Sequence, residues 1–210
     1  MSDINSHILI ARVDNIGDVV LTLPMIGLLK QHYPQCKITL LARSYTKPLA
    51  QACKNIDNFV DWEKLQELAD AQIINELIKL QVTTIINLPT SNRSVNKRIA
   101  RLAQKARIGC RIGRLENLSS WLYCNKLFSQ RRRRSKLHEA QLNIKFLKPL
   151  GITNNSSAQQ LAQYIALKVT ADLPSSIAET LDHQRFNLII HPGSNGHGRE
   201  WSVAHFIQLM

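Results

Sequence analysis

Short apolar runs alternate with longer stretches of helical periodicity along most of this chain, and the alternation limits the folds open to it. Four runs rich in β-branched residues are predicted strands, at residues 7–13, 37–42, 58–62 and 82–88. Strands that alternate with helices of ten or more residues build βαβ units, whose strands run parallel. The sequence therefore predicts an α/β fold with a Rossmann-like parallel sheet flanked by helices.

The first predicted helix is interrupted by a proline. Apolar residues recur at helical spacing after the first strand, at Val19, Leu23, Ile26 and Leu29. Pro24 either kinks this helix or marks the start of its regular part, because proline lacks the amide that would bond to residue 20. Further helices are predicted at residues 45–53, 65–80, 91–106 and 136–150.

The length of 210 residues allows one or two domains. We predict an N-terminal Rossmann-like domain over residues 1–180 and the start of a second domain over residues 181–210. The apolar run at 187–191 is expected to be the first strand of that second domain. A helix is expected to begin near Val203.

The composition is that of a globular protein, with 44% hydrophobic and 20% charged residues. No stretch approaches 18 uncharged apolar residues and no basic segment precedes an apolar one at the N-terminus, so neither a transmembrane helix nor a secretory signal is predicted. The four cysteines form no C-x-x-C pair, which argues against a zinc site and favours a reducing cytoplasm. We expect them to be small buried hydrophobes: Cys36, Cys53, Cys110 and Cys124.

The formal net charge of +12 is concentrated in one segment. Residues 93–136 hold fourteen Lys and Arg and a single acid, Glu116, whereas the rest of the chain holds thirteen basic and fourteen acidic residues. Such a stretch indicates a polyanionic partner, namely nucleic acid, anionic lipid or a phosphorylated substrate.

Asp18 lies in the turn that follows the first predicted strand, directly after Gly17. Ligands of open parallel sheets bind at the carboxyl ends of the strands, so this turn is a candidate site. The alternative is that Asp18 only complements the dipole of the helix that begins there. Neither a G-x-G-x-x-G fingerprint nor a Walker A loop is present.

A second candidate loop, HPGSNGHGREWSVAHF, occupies residues 191–206. Gly193 lets the backbone approach a ligand, Ser194 offers a hydroxyl, and Arg199 offers a charge-assisted contact to a phosphate. The alternative is an ordinary turn in which Ser202 caps the last helix.

Three segments occur in the order and at the separations typical of one enzyme family: ILIARVDNIGDVVLTLPMIGLLKQHYP, HEAQLNIKFLKPLGI and IIHPGSNGHGREWSVAHFIQL. With them the chain resembles glycosyltransferase family 9, the ADP-heptose:lipopolysaccharide heptosyltransferases. The resemblance implies a GT-B arrangement of two Rossmann-like domains, the first for the lipopolysaccharide acceptor and the second for the nucleotide-sugar. It also implies an inverting transfer of heptose from ADP-heptose to the lipopolysaccharide inner core, with no metal or other cofactor.

The resemblance implies roles for individual residues as well. Asp18 matches the proposed general base, which needs a carboxylate within about 3 Å of the acceptor hydroxyl. Gly193, Ser194 and Arg199 match the loop that contacts the donor phosphates, where positive charge and backbone amides stabilise the departing nucleoside diphosphate. The family often has lysine in place of Arg199, which changes the geometry of the charge.

The basic segment has several candidate partners. Asn92, Arg93, Lys97 and Arg98 are expected to line the acceptor site, because inner-core lipopolysaccharide carries phosphates and acidic sugars. Residues 131–134, all arginine (Arg131, Arg132, Arg133 and Arg134), are expected to contact anionic membrane lipid, which implies a cytoplasmic protein at the inner membrane. A solvated helix face is the alternative. Nucleic acid is disfavoured, because the segment has few aromatic residues for stacking.

Met210 falls just inside the second domain of the family. We therefore expect a truncated form with little activity alone. The alternative is a non-catalytic Rossmann-like protein that binds anionic glycolipid or nucleic acid.

Overall fold

A computed structural model describes residues 7–115, 118–128, 135–169, 171–191, 193 and 200–209, with only the backbone at 118–120. The chain divides into two compact units, Met1–Thr170 and Ala171–Met210. This division precedes the predicted boundary at residue 180, and the assignment of the two parts to acceptor and donor stays a prediction.

A six-stranded sheet organises the first unit. All of its neighbouring strands pair in parallel, in the order β3-β2-β1-β4-β5-β6. The central strands are buried on both faces and are accordingly rich in Ile, Leu and Ala. The strands are β1 (His7–Ala11), β2 (Lys37–Ala42), β3 (Asn58–Asp61), β4 (Thr84–Asn87), β5 (Cys110–Arg114) and β6 (Lys126–Phe128).

Helices cover both faces of the sheet, so the core consists of two apolar clusters. One lies between the sheet and α2, α3 and α8, and the other between the sheet and α4, α5 and α6. The helices are α1 (Ile16–Val20), α2 (Leu23–His32), α3 (Lys47–Ala52), α4 (Trp62–Leu65), α5 (Asp70–Lys79), α6 (Arg93–Lys105), α7 (Leu118–Tyr123), α8 (Glu139–Ile144), α9 (Ala158–Leu161), α10 (Ser175–Ala178) and α11 (Val203–Leu209). Short 3₁₀ turns cover Ser44–Thr46, Lys145–Leu150 and Ala162–Tyr164. Within the described ranges, no helix is long and apolar enough to span a membrane.

The predicted α/β fold with a parallel sheet is confirmed, and so are the four predicted strands. Pro24 marks the start of a helix rather than a kink, because it occupies the first turn of α2, where its missing amide costs no hydrogen bond. Strands β5 and β6 were not predicted. Both lie towards one edge of the sheet; β5 contains two arginines and β6 has only three residues, so neither has the apolar signature of β1 and β2.

The cysteines are free thiols. Cys36, Cys53 and Cys124 are buried, as expected, whereas Cys110 is only partly buried. Burial raises the pKa of the Cys124 thiol to about 11, so this sulfur is protonated at neutral pH. The expectation of small buried hydrophobic cysteines is therefore confirmed for these three.

The second unit contains α10 and α11 but no strand among its described residues. The predicted strand at 187–191 is therefore wrong, whereas the predicted helix start at Val203 is confirmed. None of the described residues of this unit is buried. The physical reason is that a strand needs a hydrogen-bonded neighbour, and no described segment of this unit pairs with residues 187–191.

Candidate active site

The carboxyl ends of β1 and β4 form the candidate site. The chain proceeds from β1 towards β2 and β3 on one side, and the sheet continues from β4 to β5 and β6 on the other. Loops on such neighbouring strands diverge to opposite faces and leave a crevice, the usual ligand position in doubly wound sheets. The loops at 12–15 and 88–92 flank this crevice.

Arg12 is the central charged residue of the site. It follows β1 directly, and its side chain is only 1% exposed. Its Nη1 donates to the carbonyl oxygen of Pro89 at 3.0 Å, which joins the two loops across the crevice. Its Nη2 donates to Asp18 Oδ1 at 2.6 Å. A buried guanidinium needs such partners, because an unpaired buried charge is strongly destabilising.

Three carboxylates surround this single cation. Besides Asp18, Asp14 Oδ2 lies 3.6 Å from Arg12 Nε, and Glu139 Oε1 lies 3.8 Å from Arg12 Nη2. Both distances exceed a good hydrogen bond, and Arg12 Nε has no hydrogen-bond partner in the described part of the chain. Arg12 therefore faces three acidic groups among the described residues, and Asp18 makes the shortest contact.

Two loops brace the turn that carries Asp18. Asp14 Oδ1 accepts a hydrogen bond from the backbone amide of Ser91 at 3.1 Å, so the turn is tied to the loop after β4. The hydroxyl of Tyr45, in the loop after β2, accepts from the amide of Ile16 at 2.9 Å. These contacts fix the backbone on both sides of the crevice.

Glu139 reaches the site from α8. His138 caps this helix by accepting from the amide of Ala140 at 3.3 Å, which leaves Glu139 in the first turn. The buried side chain of Asn143 donates to the carbonyl oxygen of Leu21 at 3.0 Å and fixes α8 against the end of α1. The His138 cap and the hydrogen bond of Asn143 together position α8 so that Glu139 approaches Arg12, although the two residues are far apart in sequence.

Asp18 combines features of both interpretations offered by the sequence. One of its oxygens is paired with Arg12, which favours a structural role. Its side chain is nevertheless 34% exposed, and no hydrogen bond to its second oxygen is found among the described residues. An oriented carboxylate with an accessible oxygen is able to accept a proton from a bound hydroxyl. The assignment of Asp18 as general base stays a prediction.

The predicted acceptor residues lie at the start of α6, next to the crevice. Asn92 caps the helix, its Oδ1 accepting from the amides of Ser94 and Val95. Arg93 and Lys97 are exposed, and neither pairs with an acid in the described ranges. Arg98 is already engaged, with Nη2 3.1 Å from Asp70 Oδ1 and Nη1 3.2 Å from the carbonyl oxygen of Gln66. Arg93 and Lys97 therefore have the freer charges, and the acceptor role of all four stays a prediction.

Other predicted residues are only partly covered by the structure. Gly193 is exposed, and a Cβ placed there would contact nothing within 4 Å. Ser194, Arg199 and the arginines at 131–134 lie outside the described residues. Ser202 Oγ accepts from the amide of His205 at 3.4 Å, which is a weak cap on α11. Among the described residues, no three His, Cys, Asp or Glu side chains are placed so that they could hold a metal ion.

Most of the residues that surround Asp18 were not among the predicted site residues: Arg12, Asp14, Tyr45 and Glu139. A charged residue directly after a fully buried strand is a usable signal, because a buried arginine must find acidic or carbonyl partners. No sequence signal identifies Glu139, since only the packing of α8 brings it near.

Comparisons with known proteins agree with this architecture. No family model matches the chain. A Haemophilus influenzae protein named "Putative glycosyltransferase" is 26% identical over 209 residues, which are 97% of this chain and 59% of that protein. This chain thus spans about three fifths of the length of that relative.

Solved structures share the fold. The E. coli ADP-heptose lipopolysaccharide heptosyltransferase II superposes with a TM-score of 0.67 at 16% identity, over 97% of this chain and 60% of that one. A glycosyltransferase of family 9 from Veillonella parvula gives a TM-score of 0.56 at 21% identity, over 73% and 43%. The E. coli heptosyltransferase WaaC with ADP gives 0.55 at 17% identity, over 75% and 52%.

The sequence motifs and the superpositions point to the same group of proteins. The six-stranded parallel sheet flanked by helices matches the heptosyltransferase folds. The resemblance of this chain to glycosyltransferase family 9 is therefore confirmed, with a family 9 structure and two heptosyltransferases among its structural neighbours and a putative glycosyltransferase as its curated relative.

Proposed function

We propose that this chain carries the acceptor-binding domain and the general base of an inverting glycosyltransferase. The observation that supports the proposal is Asp18, which Arg12 holds at the switch point of the sheet and whose side chain is 34% exposed. In the reaction, Asp18 accepts the proton of the acceptor hydroxyl while that oxygen attacks the anomeric carbon of the donor. Inversion follows because the nucleoside diphosphate leaves from the opposite face.

We further propose ADP-heptose as donor and the lipopolysaccharide inner core as acceptor. Structural neighbours were solved with ADP and with ADP-2-deoxy-2-fluoro heptose, which supports a nucleotide-sugar donor. Arg93 and Lys97 are exposed cations beside the crevice and suit the phosphates of an inner-core acceptor. The donor phosphates would be held by Gly193, Ser194 and Arg199.

The proposal is tested with heptosyl transfer from ADP-heptose to heptose-deficient lipopolysaccharide. The chain is assayed alone and fused to the remaining length of its H. influenzae relative, because the 210 residues are expected to show little activity by themselves. In the fusion, Asp18→Asn should lower the rate by about 10²–10⁴-fold, since the amide cannot accept the proton. Asp172→Asn, at an exposed site in the second unit, is the matched control.

Two results would contradict the proposal. Unchanged turnover in Asp18→Asn would exclude this residue as the base. A loss of folded signal that accompanies the loss of rate would show that Asp18 matters only for stability, so both variants are compared by circular dichroism.

A non-catalytic role in binding anionic glycolipid is the second candidate. It is favoured by one observation, the excess of fourteen basic over one acidic residue between 93 and 136. A fusion that binds lipopolysaccharide but transfers no sugar would support it. Membrane contact through Arg131–Arg134 belongs to the same proposal.

A further inference from the structure

Helix α7 exposes two large apolar side chains at its C-terminal end. Trp121 is 68% exposed and Leu122 is 64% exposed, although both belong to the unit with a well-packed core. Beside them lies a hollow of about 530 Å³, whose lining includes Leu115, Leu127 and the buried Cys124. A contiguous apolar patch of this kind on a folded domain indicates an interaction site.

Unpaired positive charges accompany the apolar residues. Gln104 Nε2 donates to the carbonyl oxygen of Leu122 at 2.6 Å, which holds α7 against the C-terminal end of α6. Lys105 directly follows Gln104, Arg107 lies three residues after it, and Lys126 follows Asn125, which lines the hollow. All three are exposed, and none has an acidic partner within the described part of the chain.

Several other cations of the first unit are neutralised locally. Asp70 pairs with both Arg98 and Arg101, and Asp57 pairs with Lys30. Arg93 and Lys97 also lack an acidic partner among the described residues, so the distinguishing feature of the α7 patch is that its free positive charges accompany large exposed apolar side chains. We call the residues Lys105, Arg107, Leu115, Trp121, Leu122 and Lys126 the α7 surface.

An anionic bilayer fits the α7 surface better than the other occupants. Tryptophan, leucine and lysine together are typical of segments that lie in the membrane interface, where the ring and the apolar chain enter the acyl boundary and the cations meet the headgroups. Single-stranded nucleic acid would need several stacking rings, and Trp121 is the only strongly exposed aromatic residue described there. A second copy of this chain would bring like charges together.

We propose that the α7 surface docks the protein on anionic lipid bilayers, with Trp121 and Leu122 inserted in the interface and Lys105, Arg107 and Lys126 on the headgroups. This docking does not depend on the proposed glycosyl transfer. It is measured without donor or acceptor, so its failure leaves the catalytic proposal untouched.

The first test measures sedimentation of the chain with vesicles of phosphatidylcholine alone or with 30% phosphatidylglycerol. Binding should require the anionic lipid and weaken steeply as salt rises. Trp121→Ser with Leu122→Ser should lower the partition coefficient roughly tenfold or more. Trp201→Ser is the matched control, because Trp201 is similarly exposed but lies in the second unit, and it should bind like the wild type.

The second test removes charge. Replacing Lys105, Arg107 and Lys126 with serine should lower binding by roughly fivefold for each charge. The matched control replaces the same number of exposed lysines near β3, at positions Lys47, Lys54 and Lys64, and should reduce binding much less.

The third measurement is fluorescence, which does not require a disruptive variant. The difference in emission between the wild type and Trp121→Phe should shift to the blue when anionic vesicles are added. Any of four results overturns the proposal: equal binding to neutral vesicles, unchanged binding in the Trp121/Leu122 variant, tighter binding to duplex DNA than to vesicles, or self-association through this surface without vesicle binding.

Discussion

Two apolar segments of five residues each differ in structure and burial in this protein. Residues 7–11, HILIA, form β1, in which every residue is buried. Residues 186–190, FNLII, form no strand, and Ile189 is 90% exposed. Both precede a turn that was a candidate ligand site. An apolar run therefore becomes a strand only where the chain supplies a strand to pair with, as β2 and β4 do for β1.

The two candidate sites differ for the same reason. The turn after β1 is held by Arg12, by the loop after β4 and by Tyr45 in the loop after β2. Of the second candidate loop, the structure describes Gly193 between residues 191 and 200, and no described atom lies within 4 Å of a Cβ built there. Preorganisation of a binding loop requires a rigid surrounding scaffold. The first unit has such a scaffold, and this is why the general base is the better-supported part of the proposal.

Arginine substitutions are expected to give the largest difference between the two units in the loss of unfolding free energy. Arg12→Met should destabilise the first unit by about 3–5 kcal/mol, because it removes the buried cation that faces Asp18, Asp14 and Glu139 and that joins the loops after β1 and β4. Arg185→Met should change stability by about 0.5 kcal/mol or less, because its ion pair with Asp182 is exposed. Urea unfolding followed by circular dichroism measures both. Equal losses would mean that the Arg12 cluster is as well solvated as a surface pair.

Truncation of apolar side chains should give a slightly smaller difference in unfolding free energy between the two units. Ile10→Ala in β1 should cost about 2–5 kcal/mol, since its side chain is fully buried in the core. Ile189→Ala should stay within about 0.5 kcal/mol, as for other exposed positions. A large cost for Ile189→Ala in urea unfolding would show that the second unit has a buried state that this structure lacks.

Glycine substitutions extend the comparison to backbone packing. In Gly27→Ala, the new methyl group would overlap the backbone carbonyl of Tyr164, so α2 must move away and stability should fall by about 1–3 kcal/mol. Gly193→Ala meets nothing and should change the melting temperature very little. If Gly27→Ala has the melting temperature of the wild type, the contact between α2 and residues 162–164 is looser than the structure indicates.

The smallest effect concerns pH and again comes from the first unit. Burial lowers the pKa of His7, whose ring contacts Thr39 Oγ1 and the carbonyl oxygen of Leu80. The folded state thus binds the proton more weakly than the unfolded state does. The contribution of neutral His7 to the free energy of unfolding should be fully present above about pH 6.5, the usual histidine pKa. It should be lost progressively as the pH falls below that value.

Melting temperatures between pH 7.5 and 5 test this effect. His7→Gln should show a smaller decrease than the wild type over the same interval. A steeper decrease in the variant would mean that His7 gains rather than loses affinity for protons on folding.

Much of the fold could be predicted from the chain itself, because short β-branched runs and helical periodicity are local signals. They gave the extent of β2 and the positions of β1, β3 and β4. They failed for β5, where Arg111 and Arg114 mask a strand, and for residues 187–191, where an apolar run pairs with no described segment. Asp18 could be singled out from its position after a strand, but the arrangement of its neighbours could not.

The sequence alone determined the class of fold, the likeness to glycosyltransferase family 9 and the concentration of positive charge in one segment, since each depends on residue order and composition. Only the tertiary structure decided that Arg12 is buried among three carboxylates, that Glu139 joins them from α8, and that Trp121 and Leu122 remain exposed beside unpaired cations. Such contacts join segments far apart along the chain. They depend on how helices pack on the sheet, which no local pattern specifies.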